Sequence, residues 1–412
     1  MAEGLAARLA AVELLGAVLG DGRMLSDLDL PTELPPQECA RALRLALAVL
    51  RRVGPIDALL SPHLRKVPPM PAMNALRLAV AEQAMGAAAH GAVNSAVEIV
   101  RRGRRTGHLT GLVNAVLRAL PEGRLLEGAP DQKLPRWMRQ PMVHAWGREA
   151  VAAIEAVQAS EPPLDLTLRQ GREAPAGGEP LPTGSVRMHH AGQVSALPGY
   201  AAGDWWVQDM AATLAVQLLQ PQPGERVLDL CAAPGGKTMQ LADAGAAVVA
   251  LDISGPRMAR VAENLARTGL SAEMVVADAL AWAPDLPFDA VLLDAPCSAT
   301  GTVRRHPDLP FIKDGSELPG LVTLQGALLD RALGWLKPGG RLVFCTCSLL
   351  PEEGEGQLAS ALSRHPGLMV EQVLPEGAAP EWQAAGGGLR LRPDYLKERG
   401  GMDGFFMVRL RI

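Results

Sequence analysis

The chain has 412 residues, of which 48% are hydrophobic, 20% charged and 3% aromatic, and its formal net charge is −4. This composition excludes a disordered chain, and the length predicts two or three domains. The five cysteines form no Cys-x-x-Cys pair, which argues against a disulfide framework and a zinc site, and the small negative charge gives no overall attraction to nucleic acid.

The chain contains no apolar stretch of the ~18 residues that a membrane-spanning helix requires. No leader sequence is recognisable at its N-terminus. We therefore expect a cytoplasmic protein that binds no membrane. We also expect a monomer that holds no metal ion.

Residues 1–125 show the periodicity of amphipathic helices. The leucines Leu5, Leu9, Leu15 and Leu19 recur on one helical face, and Gly-Asp-Gly follows them as a signal for the end of the helix. Similar patterns run through "ARALRLALAVLRRV", "NALRLAVAEQAM", "VNSAVEIVRR" and "LTGLVNAVLRAL". The sequence therefore predicts an N-terminal all-α helical bundle.

A basic turn separates the last two of these predicted helices. It contains Arg101, Arg102, Arg104, Arg105 and His108. Guanidinium groups offer fixed pairs of donors to phosphate oxygens, so the four arginines are candidate contacts to phosphate groups. The charges alone fit a solvated turn between helices even better. Both interpretations stay open.

Residues 126–200 have a looser pattern, rich in Pro and Gly. A helix is expected across "PMVHAWGREAVAAIEAVQA", and weak strand signals lie in "LDLTLR" and "SVRMHH". We predict a linker and a small intermediate α+β module.

Residues 201–412 alternate short apolar runs with helical stretches. The apolar runs are "ERVLDLCAAPGGKT", "AAVVALDIS", "AEMVVADAL", "FDAVLLDAPCS" and "GRLVFCTCS". This alternation predicts a parallel sheet in a Rossmann-like α/β domain. Ligands of such sheets bind at the carboxyl ends of the strands, where several of these runs carry Asp or Cys.

The first of these runs leads into a glycine turn at Gly235 and Gly236. Glycines let the backbone approach a ligand, and the amides at the start of the following helix attract negative groups. Asp252 ends the next run, near the ~20-residue offset at which an acidic side chain meets ribose hydroxyls. Asp278 and Asp294 end two further runs. We expect a ligand with a ribose and a base, although the turn is neither a dinucleotide-binding motif nor a complete phosphate loop.

Four segments resemble, in order, the motifs of RNA (cytosine-5)-methyltransferases, which use S-adenosylmethionine: "DLCAAPGGKT", "LDISGPRM", "DAPCSATGTVRRHPD" and "CTCSLLPEEGE". The N-terminal "AAHGAVNSAVEIVRRGRRTGHLTGLVNAVLRAL" resembles the NusB-like domain fused to the bacterial small-subunit ribosomal RNA methyltransferases of the Sun/Fmu type. The resemblance implies a NusB-like RNA-binding domain at residues 1–125, an S-adenosylmethionine-dependent methyltransferase domain at 201–412, and a seven-stranded sheet ending in "GFFMVRLRI".

The resemblance also implies which residues bind the cofactor. In the family, the segment that corresponds to Cys231, Ala232, Ala233, Pro234, Gly235, Gly236 and Lys237 wraps S-adenosylmethionine. The position of Asp252 holds the ribose, and Arg257 belongs to the same motif. The position of Asp278 lies by the adenine, and that of Asp294 serves the site of methyl transfer.

Two cysteines have a chemical reason to be present at these strand ends. Carbon 5 of cytosine is a poor nucleophile until a thiolate adds to carbon 6, and a second group must assist release afterwards. The resemblance assigns the nucleophile to Cys347 and product release to Cys297. Asp294 is expected at the cytosine edge with Lys237 beside it. The reverse order stays open, because DNA cytosine-5 enzymes use a Pro-Cys nucleophile.

The remaining cysteines receive no catalytic role. Cys345 is expected to be a small buried side chain, the backbone of Cys231 to matter more than its sulfur, and Cys39 to lie among helices. Gly354 stands where relatives commonly have Asn, and we expect this difference to affect the start of a helix.

Three residues after the Pro-Cys motif are candidate contacts to RNA phosphates beside an extruded base: Arg304, Arg305 and His306. The function that the resemblance favours is cytosine-5 methylation of small-subunit ribosomal RNA. Alternatives are methylation of another RNA, of DNA or of protein, or a non-catalytic RNA-binding module.

Overall fold

The computed structural model describes residues 4–28, 34–121, 125–189 and 192–412. The chain forms two compact units. The first comprises Met1–Arg139, Val151–Glu161 and Val303–Asp314, and the second comprises Gln140–Ala150, Pro162–Thr302 and Gly315–Ile412. The boundaries of these two units differ from the domain boundaries near residues 125 and 200 that the sequence suggests. The division into three parts therefore stays a prediction.

The first unit contains the predicted helical bundle. Its helices are α1 (Leu5–Leu19), α2 (Pro36–Leu50), α3 (Val53–Leu60), α4 (Met70–Ala84), α5 (Ala89–Arg102) and α6 (Thr110–Arg118). The apolar faces of these helices build one core, in which Leu15, Ile56 and Leu76 are fully buried. The helix that the sequence predicts up to Gly-Asp-Gly ends at Leu19, which confirms that signal. Helix α7 (Arg136–Gln158) contributes to both units and is interrupted at Gly147, where φ is 83°.

The segment Val303–Asp314 follows the Pro-Cys motif in sequence but belongs to the first unit. The carboxylate of buried Asp308 accepts a hydrogen bond from the Leu25 amide at 2.8 Å. The Trp137 indole donates to the Lys313 carbonyl at 2.9 Å. Because these contacts are made with residues far away in the chain, the segment is an integral part of the first unit.

The second unit contains a small antiparallel sheet. Its strands are β1 (Leu164–Leu168), β2 (Glu179–Pro180), β3 (Val186–Met188) and β4 (Trp205–Val207), in the order β2-β3-β1-β4. Arg187 and Asp165 form a buried ion pair within it, with an Nε to Oδ1 distance of 2.7 Å. The weak strand signals at "LDLTLR" and "SVRMHH" are confirmed by β1 and β3.

The larger sheet of the second unit and the helices between its strands follow the alternating pattern. These elements are α8 (Met210–Leu219), β5 (Arg226–Leu230), α9 (Gly236–Asp243), β6 (Ala247–Asp252), α10 (Gly255–Thr268), β7 (Glu273–Val276), β8 (Phe288–Asp294), α12 (Leu318–Leu333), β9 (Leu336–Thr346), α13 (Glu355–Arg364), β10 (Met369–Glu371), β11 (Leu389–Leu391) and β12 (Phe405–Arg411). The short helix α11 (Leu309–Ile312) lies between β8 and α12 in the chain and belongs to the first unit.

Seven of these strands follow the order β10-β12-β9-β8-β5-β6-β7, and β11 pairs with β12 as an eighth. Five of the strands run parallel to one another: β9, β8, β5, β6 and β7. Strand β12 is antiparallel to β9. Alternate residues of β8 face different cores: Leu292 packs in one and Val291 and Leu293 in the other. The α/β fold class and the final strand "GFFMVRLRI" are confirmed. No helix of the described part of the chain is long and apolar enough to cross a membrane.

Candidate active site

The carboxyl ends of four adjacent parallel strands, β6, β5, β8 and β9, lie along one edge of the sheet. Strand β5 leads into the loop that starts at Cys231, and β6 and β8 end at Asp252 and Asp294. Strand β9 ends at Thr346, directly before Cys347. The sheet order therefore brings together the polar strand ends that the sequence places far apart.

The glycine turn and the end of β6 are joined by hydrogen bonds to Asp252. Its Oδ2 accepts from the Ala233 amide at 3.1 Å, and its Oδ1 accepts from the Ser254 amide at 2.9 Å. The Arg257 guanidinium donates to the Ala233 carbonyl and lies 3.8 Å from Asp252. These contacts hold the predicted cofactor loop against the residue predicted to bind the ribose.

The backbone of this loop is tightly curved. Cys231 and Gly235 have positive φ values of 65° and 100°. A Cβ on Gly235 would lie 2.9 Å from Val261 Cγ1, so glycine is required there by both conformation and space. Burial is the main reason that the pKa of the Cys231 thiol is raised, which fits the expectation that its sulfur is unreactive.

The arrangement fits S-adenosylmethionine, the cofactor implied by the resemblance. The residue at the N-cap of α9 is Gly235, which has no side chain to bond to the first amides of the helix, so these amides can serve a carboxylate. Each oxygen of Asp252 accepts one backbone hydrogen bond and keeps one lone pair for a ribose hydroxyl. Asp278 lies two residues beyond β7, is exposed and accepts from the Leu280 amide at 2.9 Å. Its role beside the adenine stays a prediction.

Asp229 is a buried acid that the sequence did not single out. It is fully buried in β5, and its Oδ2 accepts a hydrogen bond from the Thr238 hydroxyl at 2.5 Å. Within the described residues, its Oδ1 has no hydrogen-bond partner. Burial raises the pKa of this carboxyl to about 7, although the Thr238 hydrogen bond acts in the opposite direction. Asp229 therefore couples β5 to the first turn of α9.

Lys237 and Asp294 form an ion pair beside this loop. The Nζ to Oδ2 distance is 2.8 Å, and the side chains are 11% and 30% exposed, so Asp294 is the member open to a substrate. Burial is the largest single influence on the pKa of Lys237 and lowers it, but the Asp294 charge and hydrogen bond, together with other neighbouring groups, raise the pKa overall. Lys237 is therefore a cation held beside a partly exposed acid.

Cys345 contacts the same acid from the adjacent strand. Its thiol is fully buried and donates to Asp294 Oδ1 at 3.6 Å. Burial, followed by the Asp294 charge, raises the pKa of this thiol well above its ordinary value. The prediction that Cys345 is a small buried side chain is confirmed, and the sequence did not reveal its contact with Asp294.

Cys297 and Cys347 lie side by side, with their Sγ atoms 3.4 Å apart. Both side chains are partly exposed. The hydrogen bond with Cys347 is the largest cause that raises the pKa of Cys297 well above its ordinary value, followed by burial. Cys297 therefore keeps its proton at neutral pH, which suits a group that assists release better than one that attacks.

Around the cysteines, the sequence analysis missed three buried polar residues: Ser298, Ser348 and Glu353. A signal for them exists, because each cysteine of the pair is followed directly by a serine. Gly354 was expected to affect a helix start, and it is the residue that precedes α13. A Cβ there would lie 2.3 Å from Arg390 Nη2, so the Arg390 guanidinium fills the space that an Asn side chain would need.

The candidate RNA contacts all lie in the first unit. Arg101 and Arg102 are exposed and pair with Glu98 at 2.7 and 2.8 Å, and Arg104 and Arg105 are exposed. The Arg102 hydrogen bond is the main cause of a lowered pKa of Glu98. These positions fit either a phosphate contact or a solvated turn, and the RNA-binding role stays a prediction.

The second group of candidates is not uniformly accessible. Arg305 is exposed and His306 half-buried, but Arg304 is only 1% exposed, and its carbonyl accepts a hydrogen bond from Arg51 at 3.2 Å. A buried guanidinium does not fit the predicted role of gripping phosphates, because phosphate groups of an RNA cannot reach it. Among the residues that the structure describes, no three His, Cys, Asp or Glu side chains are placed to hold a metal ion.

Comparison with known proteins matches both parts of the chain. Residues 216–411 match the family described as 16S rRNA methyltransferase RsmB/F, and residues 5–122 match the NusB family. The chain is 36% identical to the ribosomal RNA small subunit methyltransferase B of Xanthomonas campestris, covering 99% of this chain and 98% of the relative. The protein of the same name from Xylella fastidiosa is also 36% identical, covering 100% of this chain and 99% of the relative. The crystal structure of PH0851 has a TM-score of 0.74 at 22% identity and covers 99% of each chain, which shows the same fold.

Proposed function

Because the chain belongs to the RsmB/F family of 16S rRNA methyltransferases, we propose that it methylates carbon 5 of a cytosine in small-subunit ribosomal RNA. The observation that carries the proposal is the pair of thiols of Cys297 and Cys347, 3.4 Å apart. A methyltransferase acting on oxygen or on an exocyclic nitrogen needs no such pair, since those atoms are already nucleophilic.

S-adenosylmethionine is the methyl donor and supplies an electrophilic methyl group on a sulfonium. The loop from Cys231 to Lys237 holds this cofactor, together with Asp252, Arg257 and Asp278. Their part in the reaction is to fix the cofactor at the edge of the sheet where β8 and β9 end. Positioning of this kind converts a reaction between separate molecules into one within a complex.

Cys347 is the nucleophile. Its thiolate forms a bond to carbon 6 of the cytosine, and the electron pair of the 5,6 double bond moves into the ring, which makes carbon 5 nucleophilic. Carbon 5 would then attack the methyl group, whose bond to the sulfonium sulfur would break and leave S-adenosylhomocysteine. A base removes the proton from carbon 5, the double bond re-forms, and the bond from carbon 6 to sulfur breaks to return the Cys347 thiolate.

Asp294 and Lys237 stabilise the electron-rich ring. Asp294 is the partly exposed member of their ion pair and is assigned to the N3 and amino edge of the cytosine. Lys237, at 2.8 Å, fixes the orientation of the carboxylate and adds a positive charge to the site. Charges that are held in place before the reaction cost no reorganisation when the ring changes its electron distribution.

Cys297 assists release of the product. Its protonated thiol donates a hydrogen bond toward the Cys347 sulfur, which stabilises the thiolate as the bond to carbon 6 breaks. The raised pKa of Cys297 supports this division of roles. If Cys297 were the nucleophile, Cys297→Ala would lose methyl transfer and Cys347→Ala would keep it.

The N-terminal region serves RNA binding. It belongs to the part of the chain that matches the NusB family, and its exposed arginines Arg101, Arg102, Arg104 and Arg105 are the proposed phosphate contacts. We also propose the three-part division into a helical domain at 1–125, a linker and small module at 126–200, and a catalytic domain at 201–412. We also propose a cytoplasmic location, as expected from the sequence, because the relatives that match the whole chain are bacterial ribosomal RNA methyltransferases.

The test is transfer of a labelled methyl group to unmodified small-subunit ribosomal RNA, followed by digestion and identification of the labelled base. Label in 5-methylcytosine supports the proposal. If small-subunit RNA stays unlabelled while transfer RNA or large-subunit RNA, offered in parallel reactions, is labelled, the proposal moves to another RNA substrate. RNA binding without any transfer would support the non-catalytic alternative.

A further inference from the structure

Glu353 is a fully buried acid that belongs to neither the cofactor site nor the ion pair. Its Oε1 accepts from the Ser298 amide at 2.8 Å and from Gln325 Nε2 at 3.0 Å. Its Oε2 accepts from the hydroxyls of Ser298 at 2.5 Å and Ser348 at 2.6 Å. The carboxylate thus has four donors, two to each oxygen, which satisfies its lone pairs.

The donors come from both cysteine loops. Ser298 follows Cys297 directly, and Ser348 follows Cys347 directly. The backbone carbonyl of Glu353 also accepts from the Thr346 hydroxyl at 3.0 Å, on the other side of Cys347. A single buried residue is therefore bonded to a neighbour of each cysteine.

A third element supports the same connection. Gln325, on α12, donates from Nε2 both to Glu353 and to the Pro296 carbonyl, the latter at 2.8 Å. Its amide oxygen accepts from Gln357 Nε2 at 3.1 Å. Because Pro296 precedes Cys297, the Pro-Cys turn is fixed on both sides of its cysteine.

The hydrogen-bond partners of Glu353 indicate that this residue does more than fill space in the interior. In the described residues, no Lys, Arg or His side chain pairs with Glu353, so its charge is stabilised by neutral donors alone. Desolvating a carboxylate without a cation is costly, and a buried apolar residue of similar size avoids that cost. A carboxylate of this length has a structural consequence that an apolar side chain lacks, because its two oxygens accept hydrogen bonds from two separate loops at one point.

We propose that Glu353 is a positioning residue that holds the Cys297 and Cys347 loops together, so that the two thiols stay in contact during the reaction. This inference rests on the proposed function of the two cysteines. Glu353 itself contacts neither thiol and acts through Ser298 and Ser348. Its negative charge also contributes to the raised pKa of Cys297, after the Cys347 hydrogen bond, burial and the charge of Cys347.

The test compares two variants with a matched control. Glu353→Asp keeps the charge but is one methylene shorter and does not reach both loops. Glu353→Gln keeps the shape, and the serine hydroxyls can turn to accept from its amide. The control Glu371→Gln removes an acid on β10, the edge strand of the same sheet, that pairs with Arg409 and Arg411 on the neighbouring β12.

Two quantities are measured on each folded variant, after melting temperature and S-adenosylmethionine binding have been recorded. The first is the rate at which diamide couples Cys297 to Cys347, taking one hydrogen from each thiol, followed by peptide mass spectrometry. The second is the single-turnover rate of methyl transfer to ribosomal RNA. Only the second depends on the proposed function.

We expect Glu353→Asp to slow both rates by about 100-fold, since displacing reacting groups by ~1 Å has effects of that order. Both rates of Glu353→Gln should stay within about tenfold of the wild-type rates, and the rates of the control Glu371→Gln should equal those of the wild type. If Glu353→Asp lowers the melting temperature but keeps both rates within about threefold of the wild type, Glu353 is only structural and the inference is wrong. If the wild type makes no 5-methylcytosine, the proposed function fails, and the coupling rate alone decides the role of Glu353.

Discussion

The Sγ atoms of Cys297 and Cys347 lie 3.4 Å apart, although the two residues are 50 positions apart in the chain. The cause is the parallel pairing of β8 with β9, whose register aligns Asp294 with Cys345. Both strands end at the same edge, and each delivers its cysteine within three residues of that aligned pair. The spacing between motifs is therefore irrelevant to the chemistry, and the strand register is decisive.

Replacing Cys347 by Ala should abolish methyl transfer, because the proposed route has no other nucleophile for carbon 6. S-adenosylmethionine binding should be unchanged, since Cys347 lies outside the loop that holds the cofactor. The measurement is single-turnover transfer to ribosomal RNA together with calorimetric titration of the cofactor. Cys39→Ala, the same substitution in the helical unit, should retain full activity. Full activity of Cys347→Ala together with loss in Cys297→Ala would reverse the two roles.

Replacing Lys237 by Met should lower the single-turnover rate by about 100-fold or more, the effect typical of losing one preorganised charge at a reacting group. The chain offers a matched control in Lys337, which pairs with Asp289 at 2.6 Å near the amino ends of β8 and β9. Lys337→Met removes a similar ion pair from the opposite end of the same strands. Equal losses in the two variants would show that the Lys237 effect is a general loss of stability.

The pH dependence of stability should report Asp229. Burial raises its folded pKa to about 7 from an ordinary value of 3.8, so folding favours the protonated form. The contribution of Asp229 to the free energy of unfolding is therefore fully present below pH 3.8 and is lost as the pH rises to 7. At 1.36 kcal/mol for each pKa unit, the loss is at most about 4 kcal/mol.

Urea unfolding of the wild type and Asp229→Asn between pH 4 and pH 8 measures this contribution. The free energy of unfolding of the wild type should fall relative to that of the variant across this window. Asp285→Asn, at an exposed position, is the control for the substitution itself. A difference between the wild type and Asp229→Asn that does not change with pH would mean that Asp229 is ionised throughout.

The basic turn of the helical unit should contribute to RNA affinity. Replacing Arg104 and Arg105 by Ala should weaken RNA binding and reduce the slope of log affinity against log salt by about 1.4 to 1.8, because each phosphate contact releases ~0.7 to 0.9 counterions. The double variant of Arg65 and Lys66 removes the same charge from another exposed position of that unit. Equal effects of the two double variants would support a solvated turn and no specific contact.

Sequence patterns predict the fold well where one local signal determines one element. Helical periodicity marks the bundle, and apolar runs ending in Asp or Cys mark the strands from β5 to β9. The motifs also locate the cofactor loop, the Lys237 to Asp294 neighbourhood and the cysteine pair, because parallel strands place all their carboxyl ends at one edge.

The features that the sequence did not predict depend on contacts between distant segments. Nothing around Arg304 signals that it becomes buried in the helical unit, since its neighbours Arg305 and His306 suggest a basic surface loop. Glu353 stands beside another glutamate in "PEEGE", and only the tertiary structure distinguishes the buried acid from the exposed Glu352. Burial of a polar side chain is a property of the partners that surround it, and local pattern carries little information about them.

The most direct test of the account uses Cys297→Ala with unmodified small-subunit ribosomal RNA and S-adenosylmethionine. The products are denatured, digested with nuclease and protease, and analysed by mass spectrometry for a peptide that carries a methylated cytidine. We predict an adduct that survives denaturation and is attached at Cys347, because without Cys297 the bond from carbon 6 to sulfur forms but does not break. An adduct at Cys297 in Cys347→Ala, with none in Cys297→Ala, would contradict the account.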